Sequence, residues 1–370
     1  MTTASQKARL ESIDALRGFD MLILVAGAAF LTALAPLLPV PFGTWLAAHM
    51  THAEWGACYA YDYVFPTFLF MAGVSWPFSY AGQRAHGRTM REIHMKIFWR
   101  MTALLLLGWF RAGILKFDWD HLRLATVLGR IGIAWAVAAF LYMHTNLRWY
   151  VALCVTFLVG YWAIIYLIPN PGSVVPSGVN PISSPEYCLC NWVDRNFLEV
   201  CKPGNDGGAF ATLGMPVTAM FGVLTGHLLR RTDVSGNRKT LMLLAGAAAL
   251  TAIAIFWLPW CPNVKIIWTP TYALVSGAIA MALMAGFYWI IDVKGFRRWA
   301  RIGVVFGVNS ITIYMVAFFV SFARIGHYFL DGVAGFFDPQ VGKVIIAAGR
   351  IGTMWLFLEF LMRKKIFLKI

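Results

Sequence analysis

Charge is scarce in this sequence. Asp, Glu, Lys and Arg supply 13% of its 370 residues, whereas 59% of the residues are hydrophobic. A soluble domain carries about 25% charged residues, so this composition excludes a soluble globular protein. Only helices and closed barrels satisfy their own backbone hydrogen bonds inside a bilayer, and the apolar runs here have the length of membrane helices. We therefore predict an all-α, polytopic integral membrane protein in which residues 1–370 form one helical bundle domain.

Several familiar motifs are also missing. The chain has no Walker phosphate-binding loop, no Gly-x-Gly-x-x-Gly between a strand and a helix, no His-Glu-x-x-His and no Gly-x-Ser-x-Gly. These absences argue against the enzyme classes that the motifs define. The sequence also lacks a clear inverted repeat, which argues against a secondary transporter.

Cysteine is infrequent, and its spacing disfavours a metal. Three of the six cysteines, Cys188, Cys190 and Cys201, lie within residues 169–207. Zinc usually takes Cys-x2-Cys and a second ligand pair, so the Cys-x-Cys spacing predicts no metal site. If this loop lies outside the cell, a disulfide between Cys201 and either Cys188 or Cys190 is favoured. The pairing among these three cysteines and Cys261 stays open.

Acidic residues are outnumbered, 17 against 31 Lys and Arg, which gives a net charge of +14. We do not predict nucleic-acid binding, because the basic residues collect in alternate loops, as the positive-inside rule requires. Their distribution places both termini in the cytoplasm and the long loop 169–207 outside, as a lid or binding surface. Hydropathy predicts ten spans, at about 19–39, 58–80, 97–115, 123–143, 149–168, 209–229, 240–260, 267–291, 302–323 and 341–362.

The stretch Thr51–Ser75 combines polar groups with the start of a membrane helix. Asp62 follows His52 by ten residues and directly precedes an apolar run. An acidic residue at the mouth of a membrane helix marks a functional site by default, and a carboxylate can fix the tautomer of a histidine. We therefore predict that His52 and Asp62 form a site for proton or acyl transfer. The structural alternative is an interfacial histidine beside an aspartate that caps its helix.

Other polar residues lie within or beside the predicted spans. Arg130 is placed in the hydrocarbon zone, where a cation faces either a ligand path or an ion-pair partner. Asn309 either bonds two helices together or serves as a donor in the site. Asp14 and Arg17 are three residues apart and can pair on one helix face, as a solvated pair or as part of a ligand entry.

The order of these segments resembles the heparan-α-glucosaminide N-acetyltransferase family and its bacterial relatives among the transmembrane acyltransferases. The histidine signature is the longest and most specific part of the resemblance, which extends along nearly the whole chain. The matching segments are Arg9–Gly18, His52–Gly56 followed by Asp62–Ser75, Leu122–Ile131, Asp206–Gly226, Trp257–Thr269, Gly307–Tyr314 and the tail Arg363–Phe367.

The resemblance implies an acetyltransferase that takes acetyl from cytosolic acetyl-CoA and delivers it to a glucosamine-type amino sugar on the far side of the membrane. The catalytic histidine of the family signature corresponds to His52, and its aspartate to Asp62. Neutral His52 acts either as a general base or as a nucleophile that carries the acetyl group. The residues expected to bind the acceptor are Glu54, Trp55, Lys265 and Trp268.

Binding of the acetyl-CoA cosubstrate calls for cations and hydrogen-bond donors. The residues expected to bind it are Arg17, Lys96, Arg100, Arg130 and Asn309. The alternative for Arg17, Lys96 and Arg100 is that they anchor lipid headgroups. The donor to the developing oxyanion is Asn309, Arg130 or a backbone amide.

The chain departs from the family pattern at several positions. Ala26 and Gly27 stand where many bacterial members carry two asparagines, and Gly129 replaces a glutamine. Val264 stands where asparagine is usual, and no asparagine precedes Asn146. These departures leave the histidine chemistry in place and leave the acceptor open. The alternatives are an O-acetyltransferase of a surface or periplasmic glycan, and a small-solute transporter. The expected location is a bacterial inner membrane, among membrane lipids, and a homodimer stays open.

Overall fold

A computed structural model of the chain describes residues 10–117, 125–197 and 208–368. Within these ranges the protein has fifteen α-helices and no β-strand, which confirms the predicted all-α class. The helices are α1 (Glu11–Leu22), α2 (Ala28–Leu34), α3 (Val40–His49), α4 (Val64–Ala85), α5 (Met90–Ala112), α6 (Val127–His144), α7 (Leu147–Leu167), α8 (Leu189–Asn196), α9 (Pro216–Arg230), α10 (Gly236–Trp257), α11 (Pro270–Phe287), α12 (Arg301–Val308), α13 (Ser310–Phe319), α14 (Phe322–Ala334) and α15 (Pro339–Arg363).

Seven helical segments of the described chain are long and apolar enough to cross a bilayer. They are Glu11–Leu37, Val127–His144, Leu147–Leu167, Phe210–Arg230, Gly236–Trp257, Pro270–Val293 and Pro339–Arg363. An eighth forms if α12 and α13, which are bent by 66°, make one broken span. Helices α4 and α5, of 22 and 23 residues, overlap the second and third predicted spans but are not among the seven. The protein is an integral membrane bundle, while the count of ten spans and the orientation of the termini stay predictions.

Glycines allow central helices to touch backbone to backbone. A Cβ atom on Gly73 of α4 would lie 2.1 Å from the backbone O of Ala219 in α9. Helices α1 and α12 meet in the same way, because a Cβ on Gly18 would lie 1.6 Å from the backbone O of Gly303. Small residues at such interfaces are typical of membrane helices, where close packing holds neighbours together. These contacts fix the positions of α1 and α4, the two helices beside the candidate site.

Gly73→Val is expected to destabilise the protein by about 1–3 kcal/mol or to prevent folding, because the branched side chain has no space against α9. Gly82→Val is the matched control, since a Cβ atom added to Gly82, on the same helix, would meet no neighbouring atom within 4 Å. Thermal unfolding of both purified variants in detergent gives the comparison. Equal losses of stability would show that the contact between α4 and α9 is not tight.

A π-helical turn, Ile23–Gly27, joins α1 to α2. Two of its backbone carbonyls accept hydrogen bonds from neighbouring side chains. The Tyr61 hydroxyl donates to Leu24 O at 3.4 Å, and the Arg350 guanidinium donates to Val25 O at 2.5 Å. Such turns are frequent at functional sites. Here the turn shapes one wall of the cavity that contains the candidate catalytic histidine.

The segment 169–197 contains α8 and packs against α7 and the loop between α10 and α11. Cys188 and Cys190 are buried there with Cys261 in one apolar cluster, and all three are free thiols. Cys201, the predicted disulfide partner, lies outside the described residues. The predicted disulfide therefore stays a prediction.

Candidate active site

Asp62 lies in the 3₁₀ turn Ala60–Tyr63, directly before α4, and orders the chain in front of that helix. Its Oδ2 accepts backbone N–H bonds from Tyr59 at 2.8 Å and from Ala53 at 3.2 Å, which draws the segment after α3 back over the turn. Its Oδ1 lies 2.9 Å from Nδ1 of His52. Asp62 therefore orders its helix entry and contacts the histidine at the same time, so the two sequence interpretations are compatible.

Lys265 reaches the same carboxylate from the loop between α10 and α11. Its Nζ lies 2.9 Å from Oδ1 of Asp62 and 2.8 Å from Nδ1 of His52. Lys265 is 203 residues from Asp62 in sequence, and no spacing pattern indicated this contact. The three side chains form a compact cluster in which Lys265 and Asp62 are buried and His52 is partly exposed.

This triangle of atoms restricts the protonation of His52. An ammonium group only donates and a carboxylate only accepts. If Lys265 donates to Nδ1, the neutral ring carries its proton on Nε2. If Nδ1–H donates to Asp62, Nε2 keeps a free lone pair. The 2.8 Å between Nζ and Nδ1 suits the first arrangement, whereas the second requires Lys265 and Nδ1–H both to donate to Oδ1 of Asp62. That arrangement leaves Nε2 of His52 basic.

The carboxylate of Asp62 is ionised in this setting. Burial alone would raise the pKa of its carboxyl group, but hydrogen bonds from His52, Lys265 and the Tyr59 amide hold that pKa well below its usual value. The Tyr272 hydroxyl also donates to the backbone O of Asp62 at 2.6 Å, which holds the turn in place. A negative charge therefore faces Nδ1 of His52 at neutral pH.

A cavity of about 390 Å³, here named the histidine cavity, opens beside His52 and Lys265. Most of its wall is apolar and comes from the first helical segment, α4, α6 and α13. Two more cations, Arg111 of α5 and Arg350 of α15, line it, whereas no Asp or Glu of the described chain does. The Arg111 guanidinium lies 4.5 Å from the centre of the Tyr314 ring. The cavity wall is therefore mostly apolar, and its charged side chains are positive. Sites for small ligands often combine an apolar wall with a few placed polar groups.

A second cavity of about 240 Å³, here named the arginine cavity, adjoins the first. Its polar residues include Arg17, Arg100 and Asn309. Four apolar side chains line both cavities and form a shared wall: Phe68, Leu128, Ile131 and Ile311. The two cavities thus lie side by side, with His52 in the first and the arginines in the second.

Asn309 occupies the break between α12 and α13. It is 2% exposed, and neither atom of its side-chain amide has a hydrogen-bond partner among the described residues. Buried polar groups are rarely left in this state, so the amide is available to a ligand. Arg17 is held by Ser75 Oγ at 2.6 Å and by Asp14 at 3.4 Å, which confirms the predicted contact of Asp14 with Arg17.

Two residues predicted to bind the cosubstrate lie outside both cavities. Arg130 is 1% exposed, and its guanidinium lies 5.9 Å from the ring centre of Phe65, a residue that lines the histidine cavity. Lys96 lines a separate cleft together with Arg100. Arg17, Arg100 and Asn309 are therefore the three predicted cosubstrate residues that the structure brings together.

The residues predicted to bind the acceptor are spread out. Lys265 lines the histidine cavity beside His52. Trp268 is buried behind Phe65, with 5.1 Å between the ring centres. Glu54 is exposed, and the Trp55 indole donates at 3.1 Å to a backbone carbonyl of the segment 169–197. Of these four predicted residues, only Lys265 lines the histidine cavity.

Sequence reasoning missed Arg111, Arg350 and Tyr61. The ring of Tyr61 lies 4.9 Å from that of His52, and all three residues line the histidine cavity. A signal for the arginines was present, because each interrupts an apolar run, and an intramembrane cation is a functional candidate by default. In the described part of the chain, no group of three or more His, Cys, Asp or Glu could hold a metal ion.

Known proteins support the resemblance seen in the motifs. The chain is 23% identical over 424 residues to the heparan-α-glucosaminide N-acetyltransferase of Homo sapiens and 23% identical over 431 residues to that of Mus musculus. These matches cover 98% and 100% of this chain but 60% and 62% of the relatives, so the chain spans about three fifths of their length. No protein-family model matches the chain. The comparison confirms a distant relationship to this family.

Proposed function

We propose that the protein is a membrane acetyltransferase that moves acetyl from acetyl-CoA to the amine of an amino sugar. The observation that carries this proposal is the junction of the two cavities. His52, with Asp62 at its Nδ1, lies in one cavity, and cations suited to the phosphates of CoA line the next. The relatives are named as N-acetyltransferases that act on heparan-α-glucosaminide, which supports both the reaction class and the acceptor class.

The arginine cavity suits the polar part of the cosubstrate. Arg17 and Arg100 carry guanidinium groups, which pair well with phosphate oxygens. The unpartnered amide of Asn309 can bond the amide groups of the pantetheine arm. Acetyl-CoA supplies an acetyl group that is already activated as a thioester. This assignment leaves the histidine cavity for the acetyl end and the acceptor.

His52 acts through Nε2 in the proposed reaction. It takes a proton from the acceptor amine while the amine nitrogen bonds to the acetyl carbon, and it returns the proton to the departing sulfur. The same lone pair would serve if His52 first carries the acetyl group, so both routes need the same tautomer. Asp62 stabilises the imidazolium that forms. Arg111 and Arg350 line the same cavity and supply positive charge for the developing oxyanion.

The distribution of Lys and Arg supports an arrangement in which His52 faces the exterior and Arg17 faces the cytoplasm. Acetyl-CoA would then bind from the cytoplasm, and the acceptor would approach from the far side. A bacterial inner membrane suits such a protein. The enzyme would carry only the acetyl group across the bilayer.

A glycan hydroxyl is a second candidate acceptor, and the charge of the histidine cavity favours it. Lys265, Arg111 and Arg350 disfavour the entry of a protonated amine, whereas a hydroxyl carries no charge. The same His52 chemistry would then give an O-acetyl ester.

The test of the proposed function is transfer of labelled acetyl from acetyl-CoA to glucosamine by the purified protein in detergent. We expect a labelled amide that resists hydroxylamine, whereas an O-ester would be cleaved. A hydroxylamine-sensitive product would select the O-acetyltransferase. No transfer to amines or glycan hydroxyls, together with no binding of acetyl-CoA, would refute the proposal. Solute flux in proteoliposomes without acetyl-CoA would indicate a transporter instead.

A further inference from the structure

A cleft of about 340 Å³ lies between α4, α5 and α6, outside the proposed reaction path. It shares Arg100 with the arginine cavity and no residue with the histidine cavity. Lys96 and Arg100, one turn apart on α5, both line this cleft. No Asp or Glu of the described residues is part of its lining. The cleft therefore attracts a negatively charged ligand.

Several polar groups around this cleft have no partner in the described chain. The indole N–H groups of Trp76 and Trp135 and the Oε1 atom of Gln83 are buried without a hydrogen bond. The Nε atom of Arg100 is also buried without a hydrogen bond, and the guanidinium lies 4.3 Å from the centre of the Trp135 ring. Each such group in a native structure needs an explanation, and an unseen ligand is one. Three N–H donors and a lysine ammonium suit the oxygens of a phosphate diester.

The position of the cleft favours a lipid over a soluble nucleotide. Gln83 lies near the end of α4, and Lys96 lies in the second turn of α5, which is the depth of lipid headgroups. Trp99 lines the cleft and is 62% exposed, next to Phe98, which is 54% exposed. Trp99 lies in the third turn of α5, near the start of the predicted span 97–115, and exposed tryptophan near the end of a span is typical of the membrane interface. A ligand that enters past Trp99 comes from the bilayer.

We propose that this cleft binds the headgroup of an anionic phospholipid of the phosphatidylglycerol type. Its phosphate lies between Lys96 and Arg100 and accepts bonds from the two indoles. A headgroup hydroxyl donates to Gln83, and the acyl chains follow the exposed face of α5. This proposal does not depend on the acetyltransferase proposal, because a structural lipid needs no catalysis.

The test is lipid binding to the purified protein in dodecyl maltoside, measured by native mass spectrometry and by thermal unfolding. We expect phosphatidylglycerol, but not phosphatidylcholine, to bind and to raise the unfolding temperature. Lys96→Gln is expected to weaken phosphatidylglycerol binding about fivefold or more, from the usual contribution of one lysine near a lipid surface. Trp135→Phe keeps an aromatic ring, although a smaller one, and removes one N–H group, so it should also weaken binding.

Lys364→Gln is the matched control, because it removes one positive charge from an exposed position that the sequence places at the same end of the bundle. Equal loss of phosphatidylglycerol binding in Lys96→Gln and Lys364→Gln would mean a general charge effect and would overturn the proposal. Acetyl-CoA binding by calorimetry provides a second check. If Lys96→Gln weakens acetyl-CoA binding and leaves lipid binding intact, the cleft holds CoA phosphates and the lipid proposal is wrong.

Discussion

Replacing His52 with alanine is expected to lower the rate of acetyl transfer by about 10²–10⁴-fold, the usual contribution of a positioned general base. The loss should appear in kcat, because Nε2 acts only on the reacting groups. Binding of acetyl-CoA should persist, since the residues proposed to hold its phosphates lie in the arginine cavity. The measurement is initial rate against acetyl-CoA concentration, with calorimetry on the same preparation.

His49→Ala is the matched control for this variant. His49 ends α3, bonds the backbone O of Trp45 at 2.9 Å and lines neither cavity. The substitution removes an imidazole three residues before His52 and changes no residue that lines either cavity. A wild-type rate in correctly folded His52→Ala would show that the catalytic residue lies elsewhere. Equal losses in both variants would point to disturbance of the loop rather than to lost chemistry.

The Asp62→Asn variant is expected to lose about 10²-fold or more in kcat. A neutral amide cannot stabilise the imidazolium of His52, and its NH₂ group can donate to Nδ1. That bond would select the tautomer with the proton on Nε2, which removes the base. Stability should fall too, because Lys265 is 6% exposed and would lose its carboxylate. Removing one partner of a buried ion pair typically costs about 3–5 kcal/mol.

The double variant Asp62→Asn with Lys265→Met separates these two effects. Removing the buried ammonium should restore much of the lost stability, whereas activity should stay low because Nδ1 still lacks its acceptor. Unfolding temperature and acetyl transfer are measured side by side for both variants. Recovery of activity in the double variant would show that Asp62 acts only by neutralising Lys265.

The pH dependence of stability gives an independent check on Asp62. Its partners hold its folded pKa below the ordinary value of about 3.9. Its contribution to stability is therefore complete above the unfolded pKa and is lost only as pH falls through the lower, folded pKa. We expect the stability difference between wild type and Asp62→Asn to shrink as the pH falls below about 4.

The sequence predicted the elements of the site better than their assembly. The turn at Asp62 and the contact with His52 are local, since ten residues separate the two, and a helix entry that needs a cap brings them together. Lys265 is different, because its approach depends on how α10 and α11 pack. No periodicity carries that information. The position of Lys265 beside the Asp62 carboxylate is visible only in the folded chain.

The intramembrane arginines show a second limit. Arg130 is predicted to face either a ligand path or an ion-pair partner. It lines neither cavity and lies 5.9 Å from the ring centre of Phe65, whereas Arg111 and Arg350 line the histidine cavity. All three interrupt apolar runs, so hydropathy marks each as costly without showing which way it faces. The direction in which each arginine side chain faces depends on local breaks in the neighbouring helices. The π turn at Ile23–Gly27 offers the carbonyl that receives Arg350, and sequence patterns give no signal for such a turn.

The shared wall of the two cavities has an electrical consequence. Phe68, Leu128, Ile131 and Ile311 line both the cavity that contains the His52 imidazole and the cavity that contains the arginines. A continuous water column through the two cavities would conduct protons, and the membrane voltage acts on each charge with about 2.3 kcal/mol per 100 mV. Apolar constrictions stop such currents because they do not stay wetted. In the proposed reaction, which uses substrates from both sides of the membrane, these four side chains would keep the bilayer insulating.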